Sequence, residues 1–343
     1  MIDTFVLLSP ILLLCIVALV GLLGCNQVYG LHGTHESFPI ASVDPSWGSP
    51  AGGTAVTITT SGANSGATVA FGGAAVDPEF VHITNSSITV DQTPRHSPGA
   101  VDVVVTNTDE SRGTLSSGFT YGVAETGTAL NYATGVANLQ LAPVEGQLVV
   151  VVALWSGAGA LTLNSNPATT FTLIKQADLG PNNPPNQPVH VAVYFANNLS
   201  GAVAVSSNLT GGGSPRIAMV ATAYDFVATN LALTPDQFSS LQGSGTSLAL
   251  PLSISDLAAG DLIYATAVSL NSAGQVAGGV TAPAGNDTII ARTQTPIPAY
   301  LLVEDHVVLP PDLSASPFSI TATATDPTGS WFIFGMRVRV GAS

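Results

Sequence analysis

A chain of 343 residues has room for two or three cores, and 46% apolar content with only 8% charged residues excludes a disordered polymer. Lysine occurs once, at Lys175, so the long charged side chains that populate exposed helix faces are scarce and the composition reads as all-β. The 21 acids outnumber seven bases for a formal charge of -14, and with no basic cluster to neutralise phosphates nucleic acid is not expected as a partner. The acids are scattered singly, a pattern that serves solubility first and leaves calcium binding open.

The chain begins with an uncharged stretch from Phe5 to Gly24 that includes the hydrocarbon run Ile11–Val20. An export signal and an uncleaved anchor helix both fit a stretch of this length. Its end, Leu22-Leu23-Gly24-Cys25, resembles the bacterial lipobox, matching at Leu22, Gly24 and Cys25. That resemblance implies removal of residues 1–24 and a diacylglycerol thioether on Cys25, which would place the protein in a bacterial cell envelope, lipid-anchored to the outer membrane after export. The other cysteine, Cys15, falls inside the removed segment and none follows Cys25, so disulfides are excluded. Residues 25–37 read as a polar tether.

Residues 38–122 hold alternating strands. Val56 and Ile58, Val69 and Phe71, and Val103 and Val105 are each two apart, which points each pair to one face of a strand. Gly52-Gly53 and Gly72-Gly73 suit tight turns, and Pro45, Pro50, Pro94 and Pro98 punctuate the strand ends. Trp47 is expected to cap the sandwich. The opening Pro39–Ile58, the strand and turn Ala67–Gly73, the hairpin segment Ser97–Asn107 and the closing Phe119-Thr120-Tyr121 resemble, in order, the motifs of IPT/TIG domains. The resemblance implies an immunoglobulin-like sandwich of the kind used as a spacer or adhesive module at cell surfaces.

After a short polar joint at residues 123–127, the remainder carries an internal duplication at an offset of roughly 110 residues, the size of one sandwich. Leu139–Leu141 answers to Leu250–Ser253 and Gly146–Ala153 to Gly260–Ala267; further on, Phe171–Lys175 answers to Asp287–Ala291, Val191–Phe195 to Tyr300–Glu304 and Ile217–Tyr224 to Trp331–Val338. Two similar jelly-roll-like β-sandwiches are therefore expected in tandem, over 129–228 and 229–343, each closing on its own strands with the break near Ala228–Ala232.

Catalytic motifs are poor: there is no Gly-x-Ser-x-Gly elbow, and His35-Glu36 lacks the second histidine of a zinc helix. No catalytic residue, metal site or cofactor is expected, and the chain reads as a non-enzymatic module for surface binding, adhesion or spacing. Glycan and surface protein remain open as partners. The expected ligand contacts are Trp155, placed at a rim after an apolar strand, and Asn182, Asn183 and Asn186 in a Pro-rich loop. Glu304 and His306 join them, two apart and so on one strand face, with Asp305 on the other. The alternative is a polysaccharide-acting hydrolase or lyase with an accessory immunoglobulin-like domain, which would need carboxylates converging in a groove.

Overall fold

The computed structural model describes residues 36–181, 188–210, 215–228, 238–245, 247–252, 256–270, 276–281, 287–294, 299–314, 318–324 and 329–341. The N-terminal apolar stretch, Cys25, and the loop bearing Asn182, Asn183 and Asn186 lie outside the described residues. Among the described residues no helix is long and apolar enough to cross a membrane.

The first unit contains β1 (Ser37–Phe38), β2 (Ile40–Asp44), β3 (Trp47–Gly48), β4 (Val56–Thr60), β5 (Thr68–Phe71), β6 (Ala74–Ala75), β7 (Val81–Ile83), β8 (Ser87–Val90), β9 (Gly99–Thr106) and β10 (Arg112–Tyr121). One sheet runs β1-β10-β9-β5-β6, with β3 also on β10, and faces a second ordered β2-β4-β8-β7. The alternation in sequence is the alternation in space: β4 is buried at Val56, Ile58 and Thr60 and exposed at Thr57 and Thr59. The paired residues Val69 and Phe71, and Val103 and Val105, meet them in one core closed by Phe119 and Tyr121. Ser37, expected in the tether, already pairs with Arg112 in the sheet.

The second unit comprises β11 (Ala124–Thr134), β12 (Asn138–Ser156), β13 (Ala160–Asn166), β14 (Thr172–Pro181), β15 (Pro188–Thr210) and β16 (Arg216–Asp225). The third comprises β17 (Phe238–Ser244), β18 (Ser247–Leu252), β19 (Leu262–Leu270), β20 (Val276–Thr281), β21 (Asp287–Gln294), β22 (Ala299–Val307), β23 (Phe318–Ala324) and β24 (Ser330–Val338). Their ladders correspond. The order β11-β16-β12-β15, with β14 on β15, has its counterpart in β17-β24-β19-β22-β21. The long strands β12 and β15 pass through register shifts between Leu141 and Val149, beyond which their outer halves pair with each other and β15 pairs with β13. In the third unit the same layer is a separate sheet, β18-β23-β20. The last strand, β24, pairs with β19 of its own half.

Each half thus has an inner core of its own: Val149, Val151, Ala153 and Trp155 with Leu139 and Val205 in one, and Ile263, Ala265 and Ile333 with Phe318 and Ile320 in the other. Each half closes on its own strands, and in addition the opposite faces of the two large sheets meet. Leu148, Val150, Val152 and Leu154 of β12 share a core with Leu262, Tyr264 and Val268 of β19 and with Phe332, Phe334 and Met336 of β24. A strand buried on both faces reads as a near-continuous apolar run, as do Leu148–Trp155 of β12 and, with single interruptions such as Thr222, Thr266 and Arg337, β16, β19 and β24. The joint expected at residues 123–127 is also absent. Val123 is fully buried, and the chain passes from β10 into β11 within two residues.

A cleft where three domains meet

The meeting point of the three units is fixed by backbone. The Gly122 N–H donates to Gly48 O at 3.1 Å, Val123 N–H to Gly260 O at 2.8 Å, and Gly260 N–H to Val308 O at 2.9 Å. Gly122 and Gly260 are so close that a Cβ on Gly122 would lie 2.7 Å from the Gly260 Cα, and Gly260 has a φ of 90°. Glycine at both positions is what allows this approach. The loop carrying Gly260 is held by a buried ion pair: the Arg337 Nε donates to Asp261 Oδ2 at 2.8 Å, and its terminal nitrogen donates to the same oxygen and to Asp256 O. The other Asp261 oxygen accepts the Val340 N–H at 2.9 Å.

This junction leaves a cleft of about 310 Å³. Pro45, Trp47, Ser49 and Thr54 line it from the first unit, Val123, Ala124 and Glu125 from the second, and Leu262, Asp305 and Val307 from the third. Trp47 arrives there because β3 runs parallel to β10, with Trp47 opposite Thr120. It packs against the core shared by the two sandwich units and does not cap its own domain as expected. Glu125 is exposed at the rim, where its carboxylate accepts the Thr128 hydroxyl. Asp305 is 5% exposed at the base and accepts the Tyr224 hydroxyl at 2.8 Å. Tyr264 stands edge-on to Tyr224 with ring centroids 6.3 Å apart.

Burial first, and the negative charge of Asp305 second, hold both tyrosine hydroxyls well above their ordinary range near 10. Burial likewise pushes Tyr121 up to about 12. The hydroxyls therefore stay protonated in the fold while the unfolded chain ionises from about pH 10, so the linkage leaves stability unchanged below pH 10 and erodes it above. Thermal melts should be level between pH 7 and 8.5 and fall by pH 11. The phenolate absorbance that Tyr121→Phe, Tyr224→Phe or Tyr264→Phe removes should appear together with unfolding; such absorbance in a fully folded chain at pH 10 would contradict the buried placement.

Of the residues expected to touch ligand, Trp155 and His306 lie in different cores. Trp155 shares strand parity with Val149 and Val151, so its ring turns into the inner core; it is fully buried, stacks on His190 at 5.1 Å and donates its indole N–H to Gly159 O at 3.3 Å. His306 is also fully buried, beside Phe318, with Nε2 3.1 Å from Asp312 Oδ2. Neither presents a surface to a ligand. Glu304 pairs through its backbone with Ala265 and Ile289. Its neighbour Asp305 lines the cleft. Among the described residues no group of three or more His, Cys, Asp or Glu side chains is placed to hold a metal ion.

Residues 39–121 match the family model of the IPT/TIG domain. The first unit is an IPT/TIG domain. The match runs from the residue before β2 to the end of β10 and leaves only β1 of the first sandwich outside it. Such an immunoglobulin-like domain suggests a surface or binding module in general. No curated protein matches the chain.

Proposed function

We propose that the chain is a non-catalytic binding module of a bacterial cell envelope, anchored to the outer membrane through lipid on Cys25. The observation that carries the binding part is the junction itself: an IPT/TIG domain joined without a linker to a double sandwich, with a cleft lined by all three units. Pockets at domain interfaces are the usual place for ligands. The anchor part rests on the Leu22–Cys25 motif. Metabolic labelling with a radioactive fatty acid should tag the chain in a bacterial host, and Cys25→Ser should abolish the tag; label persisting in that variant would refute the anchor.

A second reading is favoured by the presence of Trp47, Glu125 and Asp305 in one cleft, since two acids beside an aromatic are what a polysaccharide-acting hydrolase or lyase requires. Against it stand the mainly apolar walls and the small volume, which leave little room for a glycan chain. Release of reducing sugar from a polysaccharide panel, lost in both Glu125→Gln and Asp305→Asn, would establish the enzyme. No release from any member of the panel is the expected result.

A further inference from the structure

Among the described residues that line the junction cleft, the ionisable side chains are Glu125 at the rim and Asp305 at the base, and none is Lys, Arg or His. The rest of the wall is mainly hydrocarbon, from Pro45, Val123, Leu262 and Val307, with the Trp47 ring at one side. An anion entering here would meet two carboxylates. A neutral polyol would leave several hydroxyls against apolar wall without partners, which is costly for each. A cation on an apolar body meets neither penalty: its charge faces carboxylate and the negative face of the indole, and its body replaces water on the wall. The formal charge of -14 over the chain raises the local concentration of cations in the same direction.

From this we infer that the cleft binds a small organic cation, an alkyl- or arylammonium ion, between Trp47 and the two carboxylates. The inference rests on the binding reading above and names the ligand class for that same site. Asp305 is among the residues that line the cleft, and its Oδ1 is held by the Tyr224 hydroxyl, so its position is set before a ligand arrives. Glu125, on β11 at the rim, supplies the charge that an entering cation meets first.

The test uses the full chain in mild detergent, with phenethylammonium, benzyl alcohol, phenylacetate and methyl glucoside as probes. Calorimetry measures affinity, and tryptophan fluorescence reports on Trp47, because Trp155 and Trp331 are 0% and 6% exposed. Phenethylammonium should bind saturably and at least about tenfold more tightly than the other three. Trp47→Ala should weaken it roughly tenfold, and Glu125→Gln roughly threefold, with the smaller effect shrinking further in high salt. Glu125 is exposed, so its variant is expected to fold normally, and its thermal melt checks this. Benzyl alcohol or phenylacetate binding as tightly as the ammonium would overturn the cation while leaving the cleft a binding site. Methyl glucoside binding in preference would overturn it in favour of saccharide. Failure of all four probes to bind would overturn both the cation and the cleft as the binding surface.

Discussion

Phe334→Ala is expected to destabilise both sandwich units at once, by about 3–5 kcal/mol, because its ring is fully buried in the core that they share. Phe334 lies on β24, in the same face as Phe332 and Met336, and stacks on Phe238 of β17 at 6.0 Å. Across from it are the valines and leucines of β12 and β15, which belong to the other unit. The vacated volume therefore weakens contacts on both sides. Hydrogen exchange locates the loss: protection should fall in β12 and β16 as well as in β19 and β24, and heating should give one cooperative transition. Protection lost only in β17–β24, with β12 unchanged, would mean that the halves are energetically independent and that the shared core is a weak contact.

The sequence made the strands of the IPT/TIG domain legible because its sheets each have one wet face. Val56, Ile58, Val69 and Phe71 alternate with polar or small residues, and in β9 the buried Val101, Val103 and Val105 alternate with the more exposed Asp102 and Val104, which fixes a period of two. The duplicated strands were legible for another reason, since matched apolar runs recur in order and occupy matching places in the two ladders. The same runs also carried the information that the halves are packed together. Leu148–Trp155 and Trp331–Met336 show no alternation, which a sandwich with a solvated outer face does not need. The cleft was not legible. It is assembled from Trp47, Glu125 and Asp305, residues far apart in the chain, and nothing local marks Asp305 as the member of Glu304-Asp305-His306 that turns toward another domain. Trp155 misled for a related reason: its place at the end of an apolar strand suggested a rim, while strand parity directs it inward.

Arg337→Ala is expected to cost about 3–5 kcal/mol, the penalty for leaving a buried carboxylate without its counter-ion. Arg337 is 3% exposed and Asp261 1% exposed, so water cannot take the place of the lost guanidinium without opening the fold. Asp261 would keep the Ala258 and Val340 N–H donors at 2.9 Å each but lose the charge that balances it. The damage should also reach the domain junction. Gly260 precedes Asp261 directly, and its carbonyl receives the Val123 N–H that seats the IPT/TIG domain. In urea denaturation the single variant should unfold at clearly lower concentration, and exchange at the Val123 amide should rise before exchange in the β12 core. The double variant Asp261→Leu with Arg337→Met removes both charges together and should recover part of the loss, the remainder being the Ala258 and Val340 N–H groups left without their acceptor. A single variant within about 1 kcal/mol of the parent, the range of a solvent-exposed pair, would show that this ion pair does not hold the junction loop.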